Sequence, residues 1–183
     1  PLPVDHATVT LIFAPHQDDE VLGCGGLILT LVAAGHAVFV TYITDGSASA
    51  PEVPGLASLR REEARQATAR LGLAPERLEF LDVRDGTLAH LSESEALALS
   101  RRMTATLERV HPTLVLLPCR SDGSSEHDAA FKIFTHGLGA SRRQPRILEF
   151  PIWSWWNPLL LRPALFTSRH VWRAAFPTRL TQK

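Results

Sequence analysis

The chain has 183 residues, a length that suits one globular domain, and 45% of them are hydrophobic, which is typical of a protein with a sizeable core. Its 19 basic and 19 acidic residues give a formal net charge of zero, which argues against electrostatic binding of nucleic acid as the main function. No apolar run reaches the roughly 18 residues needed to span a bilayer, and the first residues lack the charged start and apolar core of a signal peptide. We therefore expect a cytoplasmic protein with one domain over residues 1–183.

Strands and helices alternate along most of the chain. Short apolar segments rich in β-branched residues predict strands at about 7–14, 36–44, 77–83 and 113–118. Longer amphipathic segments predict helices at about 21–34, 58–71 and 92–110, and Ser58 with Glu62 nearly matches a capping pair at the start of the second. This alternation predicts an α/β fold, a Rossmann-like three-layer sandwich with a mostly parallel sheet.

A cluster of polar side chains follows the first predicted strand. The residues are His16, Asp18, Asp19 and Glu20, and they lie where the strand ends, which is the edge where ligands bind in open α/β sheets. His16 and Asp19 are three residues apart, so both can face one point, and an imidazole with a carboxylate suits Zn²⁺. Asp18 is then available as the general base of a metal-assisted hydrolysis.

The stretch PHQDDEVLGCGG, residues 15–26, resembles the signature of the PIG-L/LmbE-like N-acetylglucosaminyl deacetylase family, (A/P)H-x-D-D-E followed by glycines. The resemblance extends over roughly residues 8–153. It implies a zinc-dependent hydrolase that removes the N-acetyl group from an N-acetylglucosamine-type amino sugar or its conjugate. It also implies that His16 and Asp19 are metal ligands and that Asp18 is the catalytic base.

A second polar cluster follows the fourth predicted strand. Residues 122–127 match the family pattern D-x-H-x-D-H, and the resemblance implies that its last histidine, His127, completes the metal site. Ser124 stands where the family usually carries its first histidine, and Glu126 replaces an aspartate. In the family that histidine is taken to assist as an acid or as an oxyanion stabiliser, so its replacement by Ser124 leaves protonation of the leaving group to another residue. We expect Asp18 to serve as both base and acid, and we rank Glu126 and Asp128 below it.

Further residues are candidates for substrate contacts. Arg60 and Glu63 match the family's R-x-x-E helix, so Arg60 is a candidate sugar or phosphate contact, although an exposed ion pair explains both residues equally well. Asp85, after the third strand, is a candidate acceptor for sugar hydroxyls. We expect Trp153 to pack in the core and Trp155 and Trp156 to form an exposed patch that binds a sugar or a partner.

Several alternatives remain open at this point. A site with two histidines and one aspartate also accepts Fe²⁺, Mn²⁺ or Co²⁺. The substrate could be another N-acyl compound, such as a thiol-sugar conjugate or a glycopeptide. Ser124, in the place of the family's histidine, is also consistent with a family member that binds metal but has no catalytic activity. A nucleotide cofactor is disfavoured because GCGG does not match G-x-G-x-x-G. The oligomeric state is left open.

Overall fold

The computed structural model describes residues 8–120, 122–139, 141 and 144–153. Within these ranges the chain forms five strands and four α-helices. In chain order they are β1 (Val9–Ala14), α1 (Asp19–Ala33), β2 (Ala37–Thr44), α2 (Leu56–Arg70), β3 (Leu78–Val83), α3 (Glu93–Val110), β4 (Leu114–Pro118), α4 (Ser125–Leu138) and β5 (Arg146–Phe150). Trp155 and Trp156 lie outside the described residues.

All five strands are parallel, in the order β3-β2-β1-β4-β5. Side chains alternate between the two faces of a strand, so β1 contributes Ile12 to one core cluster and Phe13 to the other. The first cluster packs against α1 and α2, and the second packs against α3 and α4. The predicted three-layer α/β sandwich is therefore confirmed, and in the described residues the sheet is entirely parallel.

The strand order places β1 and β4 at the centre of the sheet. Leu114–Pro118 is buried throughout, and Thr10–Ala14 is buried as well, because helices cover both faces of these strands. Such double burial explains why both strands read as continuous apolar runs rather than as alternating ones. None of the helices in the described ranges is both long and apolar enough to cross a membrane.

Two helix starts illustrate how local chemistry sets the boundaries. Helix α3 begins after Ser92, whose side chain accepts from the backbone N–H of Glu95 while the Glu95 carboxylate accepts from Ser92, a complete capping box. Helix α2 begins at Leu56, two residues before the predicted start. The Ser58 capping pair was therefore wrong. Gly55, at φ 74°, turns the chain into the helix at a backbone angle that glycine adopts without strain.

A bulge in β3 changes the direction in which the chain leaves the sheet. Tyr42 pairs with Phe80 but Thr44 pairs with Val83, so β3 has one residue more than β2 over this interval. Asp82 lies at φ 51° in the bulge, and its carboxylate forms an ion pair with Arg61 of α2. The segment after the bulge carries Asp85 towards the carboxyl end of β1.

Candidate metal centre

The polar clusters predicted from the sequence meet at the carboxyl edge of the sheet. His16 and Asp19 follow β1, and Asp122 and His127 follow β4, the strand that pairs with β1. From β1 the chain proceeds to β2 and β3 on one side and to β4 and β5 on the other, so the site lies where the strand order reverses. In open α/β sheets the loops diverge at this point and leave a crevice for ligands.

Three side chains converge on one point. His16 Nδ1 lies 3.2 Å from Asp19 Oδ2, and His127 Nε2 lies 3.4 Å from the same oxygen. Asp19 is the first residue of α1, and its Oδ2 also accepts a hydrogen bond of 2.9 Å from the backbone N–H of His16. The structure thus brings together His16, Asp19 and His127, with one candidate ligand atom from each within 4.8 Å of the others.

The chemistry of this triad fits a divalent cation. His127 Nε2 is buried and faces Asp19 Oδ2, but it makes no hydrogen bond within the part of the chain that the structure describes. An unsatisfied buried polar atom is costly, and a metal ion would satisfy it. Two imidazole nitrogens and one carboxylate oxygen are a typical donor set for catalytic zinc.

The second nitrogen of each imidazole faces a carboxylate. His127 Nδ1 lies 3.1 Å from Asp122 Oδ2, and His16 Nε2 lies 3.1 Å from Asp85 Oδ1. Such outer carboxylates orient a metal-ligating histidine and fix its tautomer. Sequence reasoning included Asp122 only as the first residue of a motif and missed this role. The signal available was its position at the carboxyl end of β4, five residues before His127.

Glu126 connects α4 to the segment that follows β3. Its carboxylate accepts hydrogen bonds from the backbone N–H groups of Gly86, at 3.2 Å, and Leu88, at 2.7 Å, and one oxygen lies 3.6 Å from His16 Nε2. His16, Asp85 and Glu126 form a second group of potential metal ligands. Because these carboxylates already accept backbone hydrogen bonds and face the ring nitrogen opposite Asp19, we assign them to the outer layer.

The surrounding carboxylates favour positive charge at both histidines. Burial opposes protonation of His16, but its interactions with Asp19, Asp85 and Glu126 outweigh burial and raise its pKa to about 12. Burial likewise opposes protonation of His127, whereas Asp122 and Asp19 raise its pKa to about 9. For Asp19 the two histidines outweigh the effect of burial and lower the pKa. The carboxylates around the two imidazoles therefore favour positive charge in this pocket.

Asp18, the predicted base, lies at the rim of this pocket. Its side chain is 46% exposed, and its Oδ2 accepts a hydrogen bond of 2.9 Å from Arg60 Nη2. Arg60 also donates to Glu63 at 3.2 Å, which is the ordinary ion pair considered from the sequence. The structure thus places Arg60 beside Asp18, and it places Asp85 against His16.

The other polar residues of the first motif support the backbone. Gln17 Nε2 donates a hydrogen bond of 2.6 Å to the carbonyl of Thr44 and so ties the motif to the end of β2. Glu20 is fully buried in α1, and burial raises its pKa to about 7. Cys24 and Cys119 are both buried and have free thiols.

Ser124 caps helix α4. Its Oγ accepts from the backbone N–H of His127 at 3.4 Å, which satisfies one of the first N–H groups of the helix. This serine stands where the family pattern has a histidine, and its hydroxyl is not an acid that titrates near neutral pH.

Trp153 lies at the surface, so its predicted place in the core was wrong. Its side chain is 54% exposed, whereas Ile152 beside it is buried. The chain leaves β5 with Phe150 directed into the core cluster that packs on α1, and Trp153 is the third residue after Phe150.

The family model described as PIG-L, GlcNAc-PI de-N-acetylase, matches residues 11–137. This range contains all of the residues of the candidate metal centre named above. No curated protein shows a significant match to the sequence.

Solved structures share the fold. The conserved protein TT1542 from Thermus thermophilus is 28% identical, with a TM-score of 0.63 over 79% of this chain and 66% of that chain. N,N'-diacetylchitobiose deacetylase from Pyrococcus horikoshii is 22% identical, with a TM-score of 0.68 over 93% and 72% of the two chains. GalB, the 4-carboxy-2-hydroxymuconate hydratase from Pseudomonas putida, is 23% identical, with a TM-score of 0.61 over 74% and 57%. The last two show the fold alone, and this chain spans about two thirds of the length of the first.

Proposed function

Because this chain belongs to the PIG-L family, whose model is described as a GlcNAc-PI de-N-acetylase, we propose that it is a zinc-dependent hydrolase that removes the N-acetyl group from an N-acetylglucosamine-type amino sugar or its conjugate. The observation that carries the proposal is the convergence of His16, Asp19 and His127 beside Asp18. This arrangement combines a potential metal site with a partly exposed carboxylate, which is what metal-assisted hydrolysis needs. We expect the reaction to take place in the cytoplasm.

His16, Asp19 and His127 would hold the metal, and Asp85 and Asp122 would orient the two imidazoles. A bound zinc ion would polarise the acetyl carbonyl and lower the pKa of a water molecule to about 7. Fe²⁺ remains an alternative occupant, since nitrogen and oxygen ligands accept several divalent ions.

The proposed proton transfers require one carboxylate. Asp18 takes a proton from water while the water oxygen forms a bond to the acetyl carbon. Asp18 then returns that proton to the amide nitrogen as the C–N bond breaks, which yields acetic acid and the free amine. Arg60, 2.9 Å from Asp18, holds the carboxylate in place through a charge-assisted hydrogen bond.

We assign both proton transfers to Asp18 because the alternative acids are engaged elsewhere. Glu126 accepts two backbone N–H groups, and Asp128 pairs with Lys132 at 2.6 Å. Ser124 caps α4 and does not titrate near neutral pH. A carboxylate that acts as base in the first step is protonated and ready to act as acid in the second.

Arg60 and Asp85 remain the proposed substrate contacts. The Arg60 guanidinium lies at the rim beside Asp18, where it can reach a sugar hydroxyl or a phosphate. Asp85 is nearly buried and already accepts from the backbone N–H of Ala48 at 2.9 Å. A sugar hydroxyl bonded to Asp85 would therefore share this carboxylate with His16.

The test is zinc content and acetate release from purified protein, with N-acetylglucosamine and N,N'-diacetylchitobiose as substrates. We expect about one zinc per chain and acetate release that a chelator abolishes. Asp18→Asn should retain zinc but lose at least about 100-fold in turnover, as expected when a general base is removed. His127→Ala should lose zinc. Glu62→Gln, an exposed residue of α2 that bonds to Gln66, is the matched control and should retain both properties.

A metal-binding protein without hydrolase activity is the second candidate, and Ser124 in the place of the family histidine favours it. It predicts one zinc per chain and no acetate from any substrate. Absence of zinc from protein purified and reconstituted with the metal would contradict both candidates. An active Asp18→Asn variant would instead contradict the assigned base while leaving the deacetylase proposal intact.

A further inference from the structure

An exposed tryptophan lies next to the metal centre. Trp153 is 54% exposed, and among the large hydrophobic side chains that are exposed in the described residues it is the one aromatic. Full burial of a tryptophan removes a large apolar area from water, which stabilises the fold. Because Trp153 is exposed, it contributes only part of this stabilisation. Scattered exposed leucines are normal on a protein surface, whereas an exposed indole beside a polar pocket is typical of a binding site.

Asp122 connects this tryptophan to a proposed metal ligand. The backbone N–H of Trp153 donates to Asp122 Oδ2 at 3.1 Å, and the backbone N–H of Ile152 donates to the same oxygen at 2.9 Å. His127 Nδ1 lies 3.1 Å from that oxygen as well. One carboxylate therefore separates the backbone of Trp153 from the His127 imidazole.

A second contact connects the same segment to the start of α1. The side chains of Phe150 and Ile152 pack so closely over Gly23 that an added Cβ there would lie 2.9 Å from Ile152 Cδ1. Leu22, the neighbour of Gly23, is 61% exposed and follows Asp18 and Asp19 by one helical turn. Leu22 and Trp153 are thus exposed residues on two segments that pack against each other.

We propose that Trp153, with Leu22 near it, forms an apolar wall against which the pyranose ring of the substrate stacks. The inference rests on the proposed function and adds residues that select the class of substrate. A pyranose has an apolar face of C–H groups and a polar rim of hydroxyls, so an indole binds its face while Asp18 and the metal centre engage the acetamido group. The wall selects cyclic N-acetyl sugars over acyclic N-acetyl amines of similar polarity.

The experiment measures kcat and KM for acetate release by the wild type, Trp153→Leu, Trp153→Phe and Leu29→Ala. Leu29 is the control, because it is an exposed apolar residue in the second half of α1, away from the pocket. The substrates are N-acetylglucosamine and acyclic N-acetylethanolamine, and zinc content is measured for every variant. We expect Trp153→Leu to raise KM for the sugar about ten-fold with little change in kcat, and Trp153→Phe to raise it less. KM for the acyclic amide and the zinc content should not change.

The outcomes separate this inference from the proposed function. If the wild type releases acetate and Trp153→Leu has the wild-type KM for the sugar, the wall is refuted and the deacetylase stands. Loss of zinc in both tryptophan variants would also refute it, since Trp153 would then support the metal centre rather than bind the sugar. If the wild type with one zinc per chain releases no acetate from either substrate, the proposed function fails and the inference fails with it.

Discussion

Substitution of Asp122 tests whether an outer carboxylate controls the affinity of the metal centre. Asp122 is fully buried, and its Oδ2 faces three donors: His127 Nδ1, the Ile152 N–H and the Trp153 N–H. Asp122→Ala would remove the acceptor from all three. Asp122→Asn can keep an amide oxygen at that position but removes the negative charge that polarises the imidazole.

The expected losses follow from these contacts. Outer partners of metal-ligating histidines typically change metal affinity by about 10–100-fold, so we expect the asparagine variant near the lower value and the alanine variant near the upper one. Each buried donor left without an acceptor costs about 1–3 kcal/mol. With two buried donors and one partly buried donor affected, Asp122→Ala should lower the free energy of unfolding by about 2 kcal/mol or more.

Zinc affinity is measured by competition with a chromophoric chelator, and the free energy of unfolding is measured in urea with excess chelator. Thr106→Ala is the control, because Thr106 is a buried residue of α3 whose hydroxyl donates to Glu79 Oε2 at 2.6 Å near the amino end of β3. It should lose about 1 kcal/mol of stability and keep its zinc affinity. Wild-type zinc affinity in both Asp122 variants would refute the role of the carboxylate, whatever their stability.

Two further predictions concern packing and thiol reactivity. Gly137→Ala in α4 should destabilise the protein, although alanine is favoured over glycine inside a helix by about 1 kcal/mol: the added Cβ would lie 2.6 Å from Thr104 Oγ1 and 3.2 Å from the backbone oxygen of Ser100. A urea midpoint equal to or above that of the wild type would contradict this steric argument. Burial raises the pKa of Cys119 to about 12 and that of Cys24 well above its usual range, so both thiols should react with a thiol reagent at pH 7 far more slowly than in urea. Rapid labelling of the folded chain would show that one of them is accessible.

Most of the architecture could be predicted from the sequence, because strands that are buried on both faces are composed almost entirely of apolar residues. β1 and β4 read as continuous apolar runs because helices cover both faces, and such runs alternate with helices only in parallel α/β sheets. The start of α2 was misplaced because Ser58 offers a capping residue two positions too late. Gly55, which has a positive φ, precedes the first residue of the helix instead. The sequence shows only a glycine in a predicted loop and does not reveal this backbone angle.

For the candidate metal centre, the sequence alone supplies the candidate donor residues and their local spacing. His16 and Asp19 lie close together because they are three residues apart where a strand gives way to a helix. His127 joins them only because β1 and β4 are adjacent in the sheet, a pairing that depends on the packing of the whole core. The contacts that complete the site depend on the packing of segments that are distant in the sequence. Asp85 reaches His16 after the bulge at Asp82, and Asp122 accepts the backbone N–H groups of residues 152 and 153. Hydrogen bonds to the backbone of distant segments leave no pattern in composition or periodicity, since every residue other than proline carries the same N–H group.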